Sequence, residues 1–153
     1  MSETNLVSEE ARSWIGRSEP PKRLEINRSD IIKYSIATEQ RAEKYRKGDV
    51  APPLFFFGAL RPVVPMDELG PDGLSIDPFV PELPLKRTMA GGTKTKYYRD
   101  VHPGDVLIAT RSLKDIIEKQ GSTGPLIFLV YEQRIETEDG ELVMEEEQTR
   151  IVR

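Results

Sequence analysis

The sequence predicts an α+β fold, with short helices in its first half and long antiparallel strands in its second. Three observations carry that expectation. Apolar residues at helical spacing, preceded by cap signals, occur only before residue 61. From Lys86 onward four runs, at 87–101, 106–119, 126–136 and 142–152, are separated by turn-forming sequence alone. Between the halves, residues 61–85 hold six of the twelve prolines, the mark of a long ordered loop that serves a function or covers an interface.

The elements follow in chain order. Residues 8–15 read as a short helix, with Ala11, Trp14 and Ile15 as its apolar stripe and Gly16 as its stop. Residues 17–22 contain two prolines and form a connector. Leu24 and Ile26 alternate with Arg23 and Glu25, a half-buried strand. Asn27 and Asp30 match a capping box, and the helix they open carries Ile31, Ile32, Tyr34, Ile36 and Ala37. Its charged continuation over 39–47 runs exposed to a stop at Gly48. Residues 51–60 (APPLFFFGAL) are the most hydrophobic stretch, with Pro52 and Pro53 fitting the first turn of a buried helix. In the strand half the breaks are His102-Pro103-Gly104-Asp105, Gly121-Ser122-Thr123-Gly124 and Glu138-Asp139-Gly140. The Asp139-Gly140 pair signals a hairpin, and connections this short fit an antiparallel meander.

Composition bounds the function. With 153 residues the chain makes one domain, 1–153, large enough for a real core. The absence of cysteine excludes disulfides, thiolate metal sites and a cysteine nucleophile, and a single histidine, His102, leaves no multi-histidine metal site. The net charge of −4 gives no general pull toward nucleic acid or an anionic membrane. The longest apolar run, 51–60, is half of what a membrane helix needs, and the start MSETNLVSEE is too acidic for a leader peptide. A cytoplasmic protein is expected.

Candidate chemistry is sparse. His102 lies in turn sequence and reads as a turn residue rather than a general base. Lys86, Arg87, Lys94, Lys96 and Arg99 span a stretch without an acid, either a phosphate-binding edge or the solvated face of a strand pair. Gly91-Gly92 inside it permits a bulge, and no phosphate-loop pattern occurs. The acidic residues 136–147 lack calcium-loop spacing and read as a solvated sheet face. Phe55, Phe56 and Phe57 read first as core.

The ordered motifs nevertheless resemble one family. They are WIGR at 14–17, DIIKYSIA from Asp30, APPLFFF at 51–57, LPLKRTMAGG at 83–92, YYRDVHPGD at 97–105, EKQGSTGPLIF at 118–128, and DGELV and TRIVR near the end. In order and spacing they resemble the N-terminal half of MaoC-like, fungal fatty-acid-synthase-type dehydratases and (3R)-enoyl-thioester hydratases. The resemblance implies a single hot-dog fold, an antiparallel β-sheet wrapped around a central helix, with residues 53–60 as that helix. It also implies a thioester substrate, acyl-CoA or acyl carrier protein, with coenzyme A entering only as part of the substrate and no separate cofactor or metal. Family members pair two hot-dogs, fused or as separate subunits, and this chain ends where fused relatives continue.

The family's catalytic Asp and His stand five residues apart in a D-x-N-P-x-H motif after a Tyr-rich helix. In the matching register the Asp position falls on Gln40, the Asn on Ala42 and the His on Tyr45. A carboxamide is no base, and a phenol with a reference pKa near ~10 is a poor acid–base group at neutrality. The resemblance therefore implies a non-catalytic half whose Asp and His come from a second hot-dog subunit. Arg87, Lys94, Lys96 and Arg99 are candidates for the CoA phosphates, and Phe55, Phe56 and Met89 for the acyl tunnel. Two alternatives stay open: a homodimeric acyl-CoA-binding module, and a self-sufficient thioesterase or hydratase using Asp100, Asp105 or a Glu.

Overall fold

A computed structural model describes residues 5–153; the first four residues of the acidic start lie outside it. The chain forms two compact units, one from residues up to 24 with 81–99 and 106–153, the other from 25–80 with 100–105.

The first unit is built on β1 (Lys22–Glu25), β2 (Thr88–Tyr97), β3 (Val106–Gly121), β4 (Gly124–Thr137) and β5 (Leu142–Val152). These form one sheet in the order β1-β3-β4-β5-β2. The β3–β4 and β4–β5 pairs are antiparallel, as their short connections require; β2 does not pair with β3 as a simple meander would have it, but lies antiparallel on the far side of β5. The predicted runs land on the four long strands. The run expected over 87–101 is shorter at both ends, since the chain turns at His102–Asp105, where the His102 amide donates to Asp105 Oδ2 at 2.8 Å.

Alternation gives this sheet two faces, each of mixed character toward one end. One face carries Leu107, Ala109, Leu113, Ile116, Ile127, Leu129, Tyr131, Ile135, Met144 and Val152, all buried. The other face carries Glu132, Arg134, Glu145 and Glu147. Helix α1 (Glu9–Arg12) is shorter than the sequence suggests. Ser8 caps it by accepting from the Ala11 amide at 3.1 Å, and Trp14 and Ile15 fall in the turns that follow. Those turns attach to β3: the Gly16 amide donates to Leu113 O at 2.8 Å, and the Leu113 amide to Arg17 O at 3.0 Å. The half-buried Glu118 carboxylate anchors the same segment, accepting from the Val7 amide at 2.6 Å and from Arg12 Nη2 at 3.0 Å.

The second unit holds α2 (Arg28–Ala37), α3 (Glu43–Arg46) and α4 (Phe55–Ala59). Asn27 caps α2 as expected, its Oδ1 accepting from the Asp30 amide at 2.9 Å and its Nδ2 donating to the Asp30 carboxylate at 2.6 Å. Two expectations are corrected here. The helix does not continue over 39–47, because Glu39 turns left-handed at φ 54°. The Gln40 amide then donates to Ser35 O at 2.9 Å and the Glu39 amide to Ile36 O at 3.2 Å, the two bonds of a Schellman stop. A second stop of the same kind ends α3 at Gly48 (φ 73°), where an added Cβ would meet Arg28 Cγ at 2.7 Å and Arg28 O at 2.8 Å.

The second correction concerns residues 53–60. Only five residues are helical, and α2, with ten, is the longest helix described. Pro52 and Pro53 do not open the helix. The Phe55 amide donates to Pro52 O at 3.1 Å and Leu54 sits at φ 66°, the bond and left-handed third residue of a type II turn. Nor is α4 buried all round: Phe55 and Phe56 are buried, whereas Leu54 and Phe57 are more than half exposed. The Pro-rich segment 61–85 contains the short 3-10 turn Met66–Glu68 and a Leu69–Ser75 bridge, and is otherwise irregular, as predicted.

Left-handed φ at a non-glycine residue costs about 1–3 kcal/mol. Glu39 and Leu54 are both exposed, so Glu39→Gly and Leu54→Gly sacrifice little packing. Each substitution is expected to raise the melting temperature of the isolated chain by roughly 2–4 °C, measured by circular dichroism.

Candidate functional site

The positions that the resemblance marks for catalysis lie on the α2 stop and on α3. Gln40 is the third residue past the helix, its backbone fixed by the Schellman bond to Ser35 and its Nε2 donating to Thr38 Oγ1 at 3.2 Å. Tyr45 lies in α3, which packs on α2, and Lys44 Nζ stands 5.0 Å from its ring centroid. Both are half-buried. The backbone is thus shaped by an ordinary helix stop, while the side chains on it bring neither a carboxylate nor an imidazole.

Beside them, Tyr34 ties α2 to α4. Its hydroxyl donates to Leu54 O at 2.9 Å, its ring meets Phe55 edge-on at 5.7 Å, and a Cβ on Gly58 would press on it at 3.3 Å. Ser35 is fully buried, and its Oγ makes no hydrogen bond. Sequence reasoning missed the Tyr34–Leu54 tie and the burial of Ser35; the Pro52-Pro53 pair was the available signal for the turn that Tyr34 clasps. Phe55 and Phe56 form the packed side of α4, and the exposed apolar side chains of that segment are Leu54 and Phe57, the latter under the Arg61 guanidinium at 4.5 Å.

The basic candidates gather on the sheet. In β2 the register slips at Gly91, between the Ala90–Arg150 and Gly92–Thr149 pairs. Because of this bulge Met89 lies opposite Ile151 while Lys94 and Lys96 lie opposite Glu147 and Glu145. Arg87 and Arg153 exchange backbone hydrogen bonds of 3.0 and 2.9 Å. Arg87, Met89, Lys94 and Lys96 therefore share the charged face. Met89 is 45% exposed there, and both lysines are exposed.

The two lysines' register partners on β5 are carboxylates that other side chains already engage. Glu145 accepts from Tyr98 Oη at 2.7 Å and from Arg134 Nη1 at 2.8 Å, and Lys96 Nζ lies 5.0 Å from the Tyr98 ring. Glu147 accepts from Lys114 Nζ at 2.8 Å, with Glu132 beside it on β4. Arg99 pairs with Glu141 at 3.0 Å. The stretch that lacks acids in sequence gains them in space from β5, so its charge is largely balanced. A phosphate arriving here competes with carboxylates already in place.

The hydrogen bond and charge of Lys114, helped by Lys94, hold the Glu147 carboxyl below the usual carboxylate range, and Glu147 in turn raises Lys114. A depressed carboxylate contributes stability above its unfolded pKa and loses it as pH falls through the folded value. A raised lysine contributes below its unfolded pKa and loses it as pH rises through the folded value. Melting curves across pH are therefore expected to show wild type above Lys114→Met at neutrality. That margin should shrink below about pH 4 and again above about pH 10.5.

His102, 51% exposed in its turn, has Nδ1 4.0 Å from Asp105 Oδ2. Among the described residues no group of three or more Asp, Glu and His side chains is placed to hold a metal ion, and no helix is long and apolar enough to cross a membrane.

A five-stranded antiparallel sheet of this order with few helices is the hot-dog fold, which the chain shares with MaoC-like (R)-hydratases and dehydratases. Residues 13–146 match the family described as FAS1-like, dehydratase domain region, and the chain belongs to it. Among curated proteins, mesaconyl-C(4)-CoA hydratase of Chloroflexus aurantiacus is 26% identical over 149 residues, covering 97% of this chain and 52% of that protein. The chain thus spans about half the length of this relative. Among solved structures, the ChsH1–ChsH2 complex of Mycobacterium tuberculosis superposes with a TM-score of 0.65 at 18% identity, over 88% of this chain and 87% of that one. The HadBC (3R-hydroxyacyl-ACP dehydratase) complex of the same organism does so at 0.60 and 17%, over 90% and 96%.

Proposed function

We propose that this chain is the non-catalytic, substrate-binding hot-dog subunit of a (3R)-specific enoyl-CoA or acyl-thioester hydratase. A partner MaoC-like chain supplies the catalytic Asp and His. The carrying observation is the pair Gln40 and Tyr45 at the motif positions, together with a lone histidine that lies in a turn and outside the motif. A dehydratase family that works without an acid–base pair in one hot-dog needs it in another.

The chemistry gives such a subunit a use. Much of the binding energy for a long acyl thioester comes from parts remote from the reacting carbons, and a second hot-dog widens the surface that provides it. In this reading the 153 residues act as one cytoplasmic hot-dog. Arg87, Lys94, Lys96 and Arg99 meet the CoA phosphates, and Phe55, Phe56 and Met89 back the acyl chain. The two similar structures that are complexes of two differently named proteins support a heteromeric arrangement.

Native mass spectrometry of the complex purified through the tagged chain, followed by enoyl-CoA hydration assays, tests the proposal. It expects a second hot-dog chain carrying the D-x-N-P-x-H motif, and hydration only when both chains are present. A homodimer that binds acyl-CoA without turnover, or a lone chain that hydrolyses it, would overturn the reading.

A further inference from the structure

We infer that the core-bearing face of the sheet holds a carboxylate site built on Arg111, Tyr131 and Arg150, and that the thioester this chain takes carries a free carboxylate on its acyl group. That the ligand is a thioester rests on the function proposed above.

Alternation puts these residues where the core is expected. On the core-bearing face, β3 presents Leu107, Ala109, Arg111 and Leu113 in turn. On the same face β5 runs from buried Met144 through Glu146, Gln148 and Arg150 to buried Val152. Polar side chains thus interrupt both strands in the middle, and all of them are partly buried. A guanidinium in such a place costs desolvation, and a position that breaks the local pattern is expected where a site needs it.

Register brings the two arginines to one point. Arg111 stands opposite Gln133 and Arg150 opposite Leu129, so they approach Tyr131, midway between on β4, from opposite diagonals. Their Cζ atoms lie 4.2 and 5.4 Å from the centroid of its ring, which is 1% exposed. Both cations are attracted to the ring and repel each other. Glu19 offsets part of that repulsion, its Oε2 standing 3.6 Å from Arg111 Nη1, longer than a hydrogen bond. The Glu146 carboxylate accepts from Thr95 Oγ1 at 2.8 Å and from Gln148 Nε2. An anion that reaches both guanidiniums relieves the repulsion and meets planar forks whose geometry matches a carboxylate.

Two features favour a carboxylate on the acyl group over a phosphate. Buried Leu113 and Leu129 adjoin the arginines on this face, so an anion bound here is attached to an apolar body. The phosphate candidates Arg87, Lys94 and Lys96 lie on the opposite face and serve the other end of the thioester in the function proposed above.

Calorimetric titration of the complex purified through this chain, and of the full chain alone, tests the site. Glutaryl-CoA and pentanoyl-CoA have acyl groups of equal length, ending in a carboxylate and a methyl group, and neither has a double bond to hydrate. Wild type is expected to bind glutaryl-CoA at least about 10-fold more tightly. Arg111→Gln and Arg150→Gln should each bring the two affinities within about twofold of one another, while Arg150→Lys, which keeps the charge without the fork, retains part of the preference. Lys94→Met, on the other face, should weaken both ligands alike. Circular dichroism checks folding, and Arg150→Gln decides if Arg111→Gln, which also loses its contact with Glu19, does not fold.

Equal wild-type affinities, or a preference that survives the loss of either arginine, would overturn the carboxylate site. So would an Arg150→Gln variant that binds glutaryl-CoA, pentanoyl-CoA and free CoA all more weakly by the same factor, since the arginines would then hold a phosphate. These results leave the split hydratase standing wherever hydration needs both chains. A lone chain that hydrates enoyl-CoA unaided would overturn that reading, while the ratio of affinities still decides this one. Binding of neither acyl-CoA would overturn both.

Discussion

In the assembled hydratase, Gln40→Ala and Tyr45→Phe are expected to leave kcat within about twofold, whereas replacing the Asp of the partner's D-x-N-P-x-H motif by Asn lowers it by about 10²–10⁴. The asymmetry follows from what each side chain can do with a proton. The Gln40 carboxamide cannot take one, and its Nε2 is engaged with Thr38. The Tyr45 phenol, capped by the Lys44 ammonium over its ring, stands on a helix of one turn. Steady-state kinetics on complexes mutated in one chain at a time separate the contributions. A loss of 100-fold from Gln40→Ala would make this chain a participant in the chemistry. Installing both missing groups, as Gln40→Asp with Tyr45→His, is expected to yield only weak hydration by this chain, since a working pair also needs neighbours that hold it in place.

The second large effect is on stability, at two adjacent positions of β3. Ile116 is 3% exposed on the core face, and Ile117, one residue on, is 37% exposed on the other. Ile116→Ala is expected to cost about 2–5 kcal/mol, because it deletes a buried side chain and leaves a cavity. For a domain of this size that lowers the melting temperature by roughly 5–20 °C. Ile117→Ala should cost about 1 kcal/mol or less. Denaturant titration of the two variants is the check. Equal losses would mean that the alternation assigned to β3 beyond Leu113 is wrong.

How far the molecule was legible in its sequence depends on which rule governed each segment. Strands β3, β4 and β5 were readable because alternation and Gly-rich turns agreed: 142–152 was found to the residue, and Gly140 adopts the left-handed φ of 84° that its hairpin needs. The helices were readable where a side chain signalled the start, as at Asn27. They were misread where backbone geometry set the boundary, since Glu39 and Leu54 take a conformation that their residue types do not advertise. Hydrophobicity likewise could not tell Phe56 from Phe57, because which of three consecutive phenylalanines is covered depends on the turn before them.

The site was legible in one respect only. That Gln40 and Tyr45 cannot do acid–base work follows from their side-chain chemistry; that they are the positions to inspect came from the resemblance. The basic stretch shows the limit from the other side. Its lack of acids is true along the chain and false in space, because β5 delivers Glu145 and Glu147 to it from fifty residues away.

The bulge in β2 makes the length of that strand matter as much as its composition. A side chain at Gly91 would meet Thr149 O at 3.0 Å and Ile151 Cγ1 at 2.9 Å, so the position accepts no larger residue without movement. Deleting Gly91 altogether would do something different. Met89 and Lys94 would then stand four residues apart, an even spacing, so a regular strand would keep Arg87, Met89, Lys94 and Lys96 on one face with no bulge at all. The extra residue is the hazard and the bulge its remedy: strict alternation through Gly91 would split four of the candidate binding residues two and two, and the slip in register keeps them together.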